Sequence, residues 1–268
     1  MDNKNQIDIS TSIKINPNNM ATTASRTHTD DVPAHKNAAM ASFIPTPAVF
    51  RWGAADFPHN VQDIEYLPAQ RRGTMNFYAA QYQGSSIHFT TPLLNLKFGV
   101  QENKFNKNKW SLDCEFDDSS ADTPSALLME WHRNLDTMTK NKACVVSEAW
   151  FGKPKTRAAL DELFVDSVHQ NEWEGRTYRP SIKYKVCVTK GRPACQVYNT
   201  KREEMYNPLN IDSHLSVEDM FTTMTKNTEV VLLVHYEGVW VVGPNLGQIF
   251  TVKQIMPHIR EDFNSCGI

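Results

Sequence analysis

Basic and aromatic side chains interleave at two places in this chain. Lys97, Lys104, Lys107 and Lys109 lead into Trp110, with Phe105 among them. Lys183 and Lys185 stand two residues apart, and Lys190, Arg192, Lys201 and Arg202 surround Tyr198. This combination suits a flexible polyanion with unpaired bases. Cations neutralise phosphates, and ring faces stack on bases for about 1–3 kcal/mol per base. The side chains best suited to it are Lys104, Lys107, Lys109, Trp110, Lys183, Lys185, Arg192, Tyr198, Lys201 and Arg202. The same lysines also fit a solvated surface, and rings such as Trp110 and Tyr184 also fit a core.

Catalytic patterns are missing by contrast. The chain contains no GxxxxGK[ST], GxGxxG, HExxH or GxSxG. Asp117, Asp118 and Asp122 are close enough in sequence to share a divalent cation, as a metal-dependent nuclease would need, or to form a solvated lead-in to a helix. His132 and His235 fall in apolar surroundings and are expected to be structural. The five cysteines are odd in number and no CxxC occurs, so neither a disulfide framework nor a zinc ribbon is supported. Cys187 and Cys195 could face each other across a hairpin, with buried thiols as the default. The net charge of -2 excludes a protein that coats duplex DNA by bulk charge, while leaving room for a local basic groove. The expectation is a non-enzymatic protein without a cofactor.

The elements that must position these residues are mostly strands. Pro180–Thr189 alternates, with Ile182, Tyr184, Val186 and Val188 on one face and Lys183, Lys185, Cys187 and Thr189 on the other. Gly191-Arg192-Pro193 turns the chain into Ala194–Thr200, its expected hairpin partner. Met75–Tyr82 and Ser85–Thr91 flank Gln83-Gly84 and predict another hairpin, with Phe77, Ile87 and Phe89 in the core. Leu93–Val100 reads as a strand, residues 101–109 as a lysine-rich loop, and Trp110–Phe116 as an alternating strand. Residues 228–257 predict a three-strand meander over Val230–Tyr236, Val239–Val242 and Gln248–Met256. Its turns would fall at Glu237-Gly238 and Pro244–Gly247, and Pro257 would end it. Trp240 then either anchors the core or offers its ring to a base.

Helices interrupt the strands. Residues 123–141 have an N-cap in Thr123, a proline at the first helical position and a stripe of Leu128, Trp131, Leu135 and Met138. Residues 143–150 suit helix or strand, Thr156–Phe164 predicts a short helix, and Ser216–Asp219 resembles a capping box opening a helix to about Thr225. The fold class expected is mainly β with inserted helices (α+β), an OB-like, partly open β-barrel over residues 43–260. Residues 1–42 are polar and poor in large apolar side chains and are expected to be a disordered tail, with a short tail at 261–268. No apolar run is long enough to span a bilayer and MDNKNQIDIS has no apolar signal region, so an intracellular protein with no membrane partner is expected.

Three stretches carry a resemblance. VHYEGVWVVGPNLGQIFTVKQI, AWFGKPKTRAALDELFVDSV and YRPSIKYKVCV resemble the C-terminal and middle regions of a single-stranded DNA-binding protein family of large nucleocytoplasmic DNA viruses. That family is similar to the podovirus-type phage single-stranded DNA-binding proteins. The resemblance covers roughly residues 74–257. It implies an oligonucleotide-binding barrel, single-stranded DNA as ligand, viral replication proteins as partners and work at a viral replication site in host cytoplasm or nucleus. A homodimer is compatible with it. Phage-type members end in a long acidic tail; here REDFNSCGI carries only Glu261 and Asp262 before Phe263, which puts tail-mediated recruitment in question. Two other readings compete: a virion or assembly protein acting through protein contacts, and the metal-dependent nuclease above.

Overall fold

The computed structural model describes residues 49–53, 57–103, 106–189, 192–210 and 216–258. The expected tails at 1–42 and 261–268 lie outside the described residues, which belong to one compact unit, Pro45–Ile268. Among them no helix is long and apolar enough to cross a membrane.

Strands β1 (Val49–Arg51), β2 (Ile64–Tyr66) and β3 (Gln70–Arg72) precede a hairpin of β4 (Met75–Tyr82) and β5 (Ser85–Thr90). Gln83 and Gly84 both take positive φ, 50° and 74°, the two-residue geometry that matches strand twist. An antiparallel pair follows, β6 (Leu94–Asn103) and β7 (Asn106–Glu115), then helices α1 (Pro124–Val145), α2 (Ser147–Phe151) and α3 (Arg157–Leu163). Four two-residue strands, β8 (Phe164–Val165), β9 (Val168–His169), β10 (Glu172–Trp173) and β11 (Arg176–Thr177), lead to β12 (Ser181–Thr189). Beyond it lie β13 (Arg192–Pro193), β14 (Gln196–Tyr198), β15 (Glu204–Tyr206), α4 (Val217–Thr223), β16 (Glu229–Val242) and β17 (Asn245–His258).

Pairings among five of these strands close into a ring: β16 to β6, β6 to β7, β7 to β12, β12 to β17 and β17 back to β16. One edge of β16 also takes β5 and then β4, so this strand leaves the ring and builds a second wing. The mainly-β class with inserted helices is therefore what the chain adopts. Alternation explains the layers. Ile182, Tyr184 and Val186 of β12 are buried against Cys114, Leu112 and Trp110 of β7, while Lys183, Lys185 and Cys187 are exposed. Helix α1 lays Leu128, Trp131, Leu135 and Met138 on this core, and burying each such side chain is worth about 1.5–3 kcal/mol. Its start is set by Thr123, whose hydroxyl accepts from the Ala126 N–H at 3.0 Å, and α4 starts with the complete capping box of Ser216 and Asp219.

Several expectations are corrected. β16 runs unbroken through Glu237-Gly238, which is a bulge rather than a turn, and the hairpin turn is Gly243-Pro244. Pro257 does not stop β17; it pairs with Val230 and the strand reaches His258. Residues 101–109 extend β6 and β7 rather than forming only a loop, and residues 143–150 are largely helical. The partner of β12 after the turn is only Arg192–Pro193; β14 instead joins β17 in parallel. Cys195 is buried, Cys187 is exposed rather than buried as expected, and both are free thiols.

Two buried ionisable groups on α1 act in opposite senses. Burial pushes the His132 pKa down to about 3, and its Nε2 lies 3.1 Å from the Tyr184 hydroxyl. Burial pushes Asp136 up to about 7, although its oxygens accept bonds from the Ser167 N–H, the Ser167 hydroxyl and the Gln248 amide. The unfolded chain protonates a histidine below about 6.5 where folded His132 stays neutral, so this group makes stability rise with pH from about 3 to 6.5. Folded Asp136 keeps its proton to about pH 7 while the unfolded chain loses it near 4, so this group makes stability fall across that window by up to about 4 kcal/mol. The two slopes offset. Asp136→Asn should expose the histidine slope, giving a steeper rise in urea stability between pH 4 and 6.5 than wild type shows. Identical pH profiles for the two proteins would show that Asp136 is ionised throughout.

Candidate nucleic-acid interface

The sheet face opposite the core carries the functional candidates, and strand register defines it. One row runs His88, His235, Thr251, Lys185, Ser111, Gln101 across β5, β16, β17, β12, β7 and β6. A second row runs Arg51, Thr90, Leu233, Gln254, Gln196 across β1, β5, β16, β17 and β14. Because side chains alternate with period two, both rows point away from the core side chains of the same strands, although within the first row His88 and Thr251 are themselves buried by their neighbours.

Over the second row lies a groove of about 660 Å³. Its floor is apolar, from Val231, Leu233 and Met256 with Thr90 and Gln254, and Arg51, Tyr198 and Arg202 also line it. Arg51 and Arg202 are exposed and Tyr198 is half-buried. Arg202 has a φ of 65° in the turn between β14 and β15, where Asn199 Oδ1 accepts from the N–H groups of Lys201 and Glu203 and holds the tip. Partial burial, then the nearby Glu204, raise the Tyr198 pKa, so its ring stays neutral. Gln254 donates to Gln196 at 2.9 Å and ties β17 to β14 under the groove.

The first row continues from it. The His88 and His235 rings stack at 4.2 Å with an interplanar angle of 2°. Desolvation, then each other and Lys253, bring His235 down to about 4, and desolvation lowers His88, so the pair is neutral at pH 7. Thr251 donates to Glu237 at 2.6 Å, and Arg72 lies 3.8 Å from the same carboxylate with its guanidinium 3.7 Å from the Phe77 ring centre. Lys185 is exposed, yet partial desolvation lowers its pKa; Glu237 opposes this and Lys109 adds to it.

The predicted residues divide accordingly. Tyr198 and Arg202 meet in the groove. Lys183, Lys185 and Lys109 are exposed on the first-row face, with Lys183 opposite Asp113 and Lys109 opposite Cys187. Lys201 is exposed beside Arg202, and Arg192 is half-buried on β13 opposite Thr189. Trp110 is corrected: it faces inward and is only 6% exposed in the core, because it falls in phase with Leu112 and Cys114. Lys104 lies outside the described residues, and of Lys107 only the backbone, in β7, is described. Sequence reasoning missed Arg51, Lys253 and the histidine pair. The alternation of β16 and β17 was the signal that could have found His235 and Lys253. Trp240 is half-buried and belongs to neither core cluster; its ring covers Gly247, where an added Cβ would fall 2.9 Å from it.

Among the described residues no three His, Cys, Asp or Glu side chains are grouped to hold a metal. Asp117 Oδ1 accepts from the Ser119 N–H at 3.2 Å in the turn that leads into α1.

No family model matches this sequence, and no curated protein is similar to it. Among solved structures, it is similar to the single-stranded DNA-binding protein from bacteriophage Enc34, solved in a C-terminally truncated form and in complex with ssDNA. Identity is 11%, the match covers 74% of this chain and 97% of that one, and the TM-score is 0.41. It is also similar to gp2.5, a single-stranded DNA-binding protein encoded by bacteriophage T7, at 9% identity over 68% of this chain and 94% of that one, with a TM-score of 0.34. A likeness of this degree carries no argument about what this chain binds.

Proposed function

We propose that this protein binds single-stranded DNA, largely independently of sequence, and serves viral DNA replication, recombination or repair in the cytoplasm or nucleus of an infected cell. The observation that carries the reading is the groove: Tyr198, Arg51 and Arg202 above an apolar floor, on the same sheet face as Lys185 and Lys183. The arginines would take phosphates, the tyrosine ring and the apolar floor would take bases, and no step of chemistry is required. The family resemblance of the three sequence stretches agrees with it.

Fluorescence anisotropy of a labelled oligo-dT, titrated over a salt series with duplex DNA as competitor, tests the reading. Binding should weaken with salt with a log–log slope of about 0.7 per phosphate engaged, and duplex should compete poorly. No binding at low salt would remove the function altogether.

A further inference from the structure

Beyond the groove, two chain segments hold large aromatic rings in water around one cation. Between the pairs Leu96–Cys114 and Val100–Leu112, β6 carries three residues, Lys97, Phe98 and Gly99, where β7 has only Asp113. Gly99 has a φ of 79°, and a Cβ there would fall 2.4 Å from the Met224 carbonyl oxygen. The Val100 N–H donates to that same oxygen at 3.1 Å. The bulge is therefore clamped against the segment after α4, and it turns Phe98 outward, leaving it 52% exposed. From the other segment comes Tyr178, 44% exposed, in a backbone held by its N–H bond to the Asn171 carbonyl. The Lys97 ammonium lies 5.6 Å from the Phe98 ring centre and 5.9 Å from that of Tyr178. Arg176 and Arg179 are exposed on either side of Tyr178, and Lys183, opposite Asp113, is exposed on the neighbouring strand.

A single exposed apolar side chain is ordinary, but a built bulge that presents one ring beside a second ring and a shared cation has the make-up of a base-stacking platform. Resting on the reading proposed above, we infer that Lys97, Phe98 and Tyr178 form a second contact site for the same nucleic-acid strand. Lys183 and Lys185 carry the phosphates from the groove towards it. Across β12 and β7, three strand spacings of about 4.8 Å, about 14 Å in all, separate β17 from β6. At about 3.4 Å per stacked nucleotide the strand must run about four nucleotides past the groove to reach the platform, so an oligonucleotide of only about four cannot fill both.

The test compares oligo-dT of about four and about sixteen nucleotides, the two ends of the range of site sizes known for single-strand binders. Phe98→Ala with Tyr178→Ala should weaken the long oligonucleotide roughly tenfold or more and leave the short one within about twofold. Phe98→Trp with Tyr178→Phe should restore long-strand affinity. Lys97→Ala should reduce the salt slope for the long strand by about 0.7. With 5-bromodeoxyuridine in the long strand, light should crosslink it to Phe98 or Tyr178. If wild type binds both lengths without crosslinking at Phe98 or Tyr178, and the double alanine variant binds them equally well, the platform is wrong and the groove stands. If wild type binds neither length, the function itself is wrong.

Discussion

Gly238→Ala will destabilise the protein by about 3–5 kcal/mol, more than alanine at any other described glycine. Gly238 sits at the bulge of β16 with a φ of 131°, where an L side chain is strained. A Cβ would fall 2.0 Å from the Tyr78 carbonyl oxygen, 2.8 Å from the Ala80 nitrogen and 3.0 Å from the Ala79 Cα. All three are backbone atoms of β4, which pairs with this part of β16. Backbone in the middle of a paired strand has no rotamer to change, so β4 must move or the pairing must break. Gly247→Ala is the control. There the methyl meets the Trp240 ring, a side chain that can swing away, so a loss below about 2 kcal/mol is expected. Urea unfolding followed by circular dichroism separates the two. A Gly238→Ala protein within about 1 kcal/mol of wild type would mean that β4 does not hold Gly238 as described.

Arg51→Glu with Arg202→Glu should weaken oligo-dT about 100-fold or more near 0.1 M salt while leaving stability within about 0.5 kcal/mol. Both residues are exposed, so neither supports the core. Each would lose one phosphate contact, which alone lowers the salt slope by about 1.4 for the pair, and each introduces a repelling charge. Tyr198→Ala should add a further loss of about 1–3 kcal/mol through stacking. Lys183→Glu with Lys185→Glu should weaken binding as well, since both lie on the same face as the groove. Unchanged affinity in the arginine variant, with wild type binding tightly, would place the DNA elsewhere. Unchanged affinity in the lysine variant alone would confine the strand to the groove and remove the path to Phe98 and Tyr178.

Much of the fold was legible because it is written in short periods. The alternation in 181–189 assigns Tyr184 to a core and Lys183 and Lys185 to an outer face without reference to any partner strand. Thr123-Pro124 and the Leu128–Met138 stripe likewise specify α1 from within. The same rule, applied evenly to Trp110, Leu112 and Cys114, places Trp110 inside; assigning it to a nucleic acid weighed its basic neighbours over its phase.

The candidate site was legible only in pieces. Tyr198 and Arg202 stand out locally, but Arg51 lies far from them in sequence and joins the groove only because β1 pairs with β5, β5 with β16, and β17 with β14. The sequence by itself determined which residues alternate, where helices start and that strands dominate, since propensity, capping and period act between near neighbours. Tertiary structure decided that Glu237-Gly238 is a bulge and not a turn, because the two share one local signature and only the approach of β4 distinguishes them. It also decided which outward-facing cations share a face, because register between strands distant in sequence is set by the packing of the whole core rather than by any segment of it.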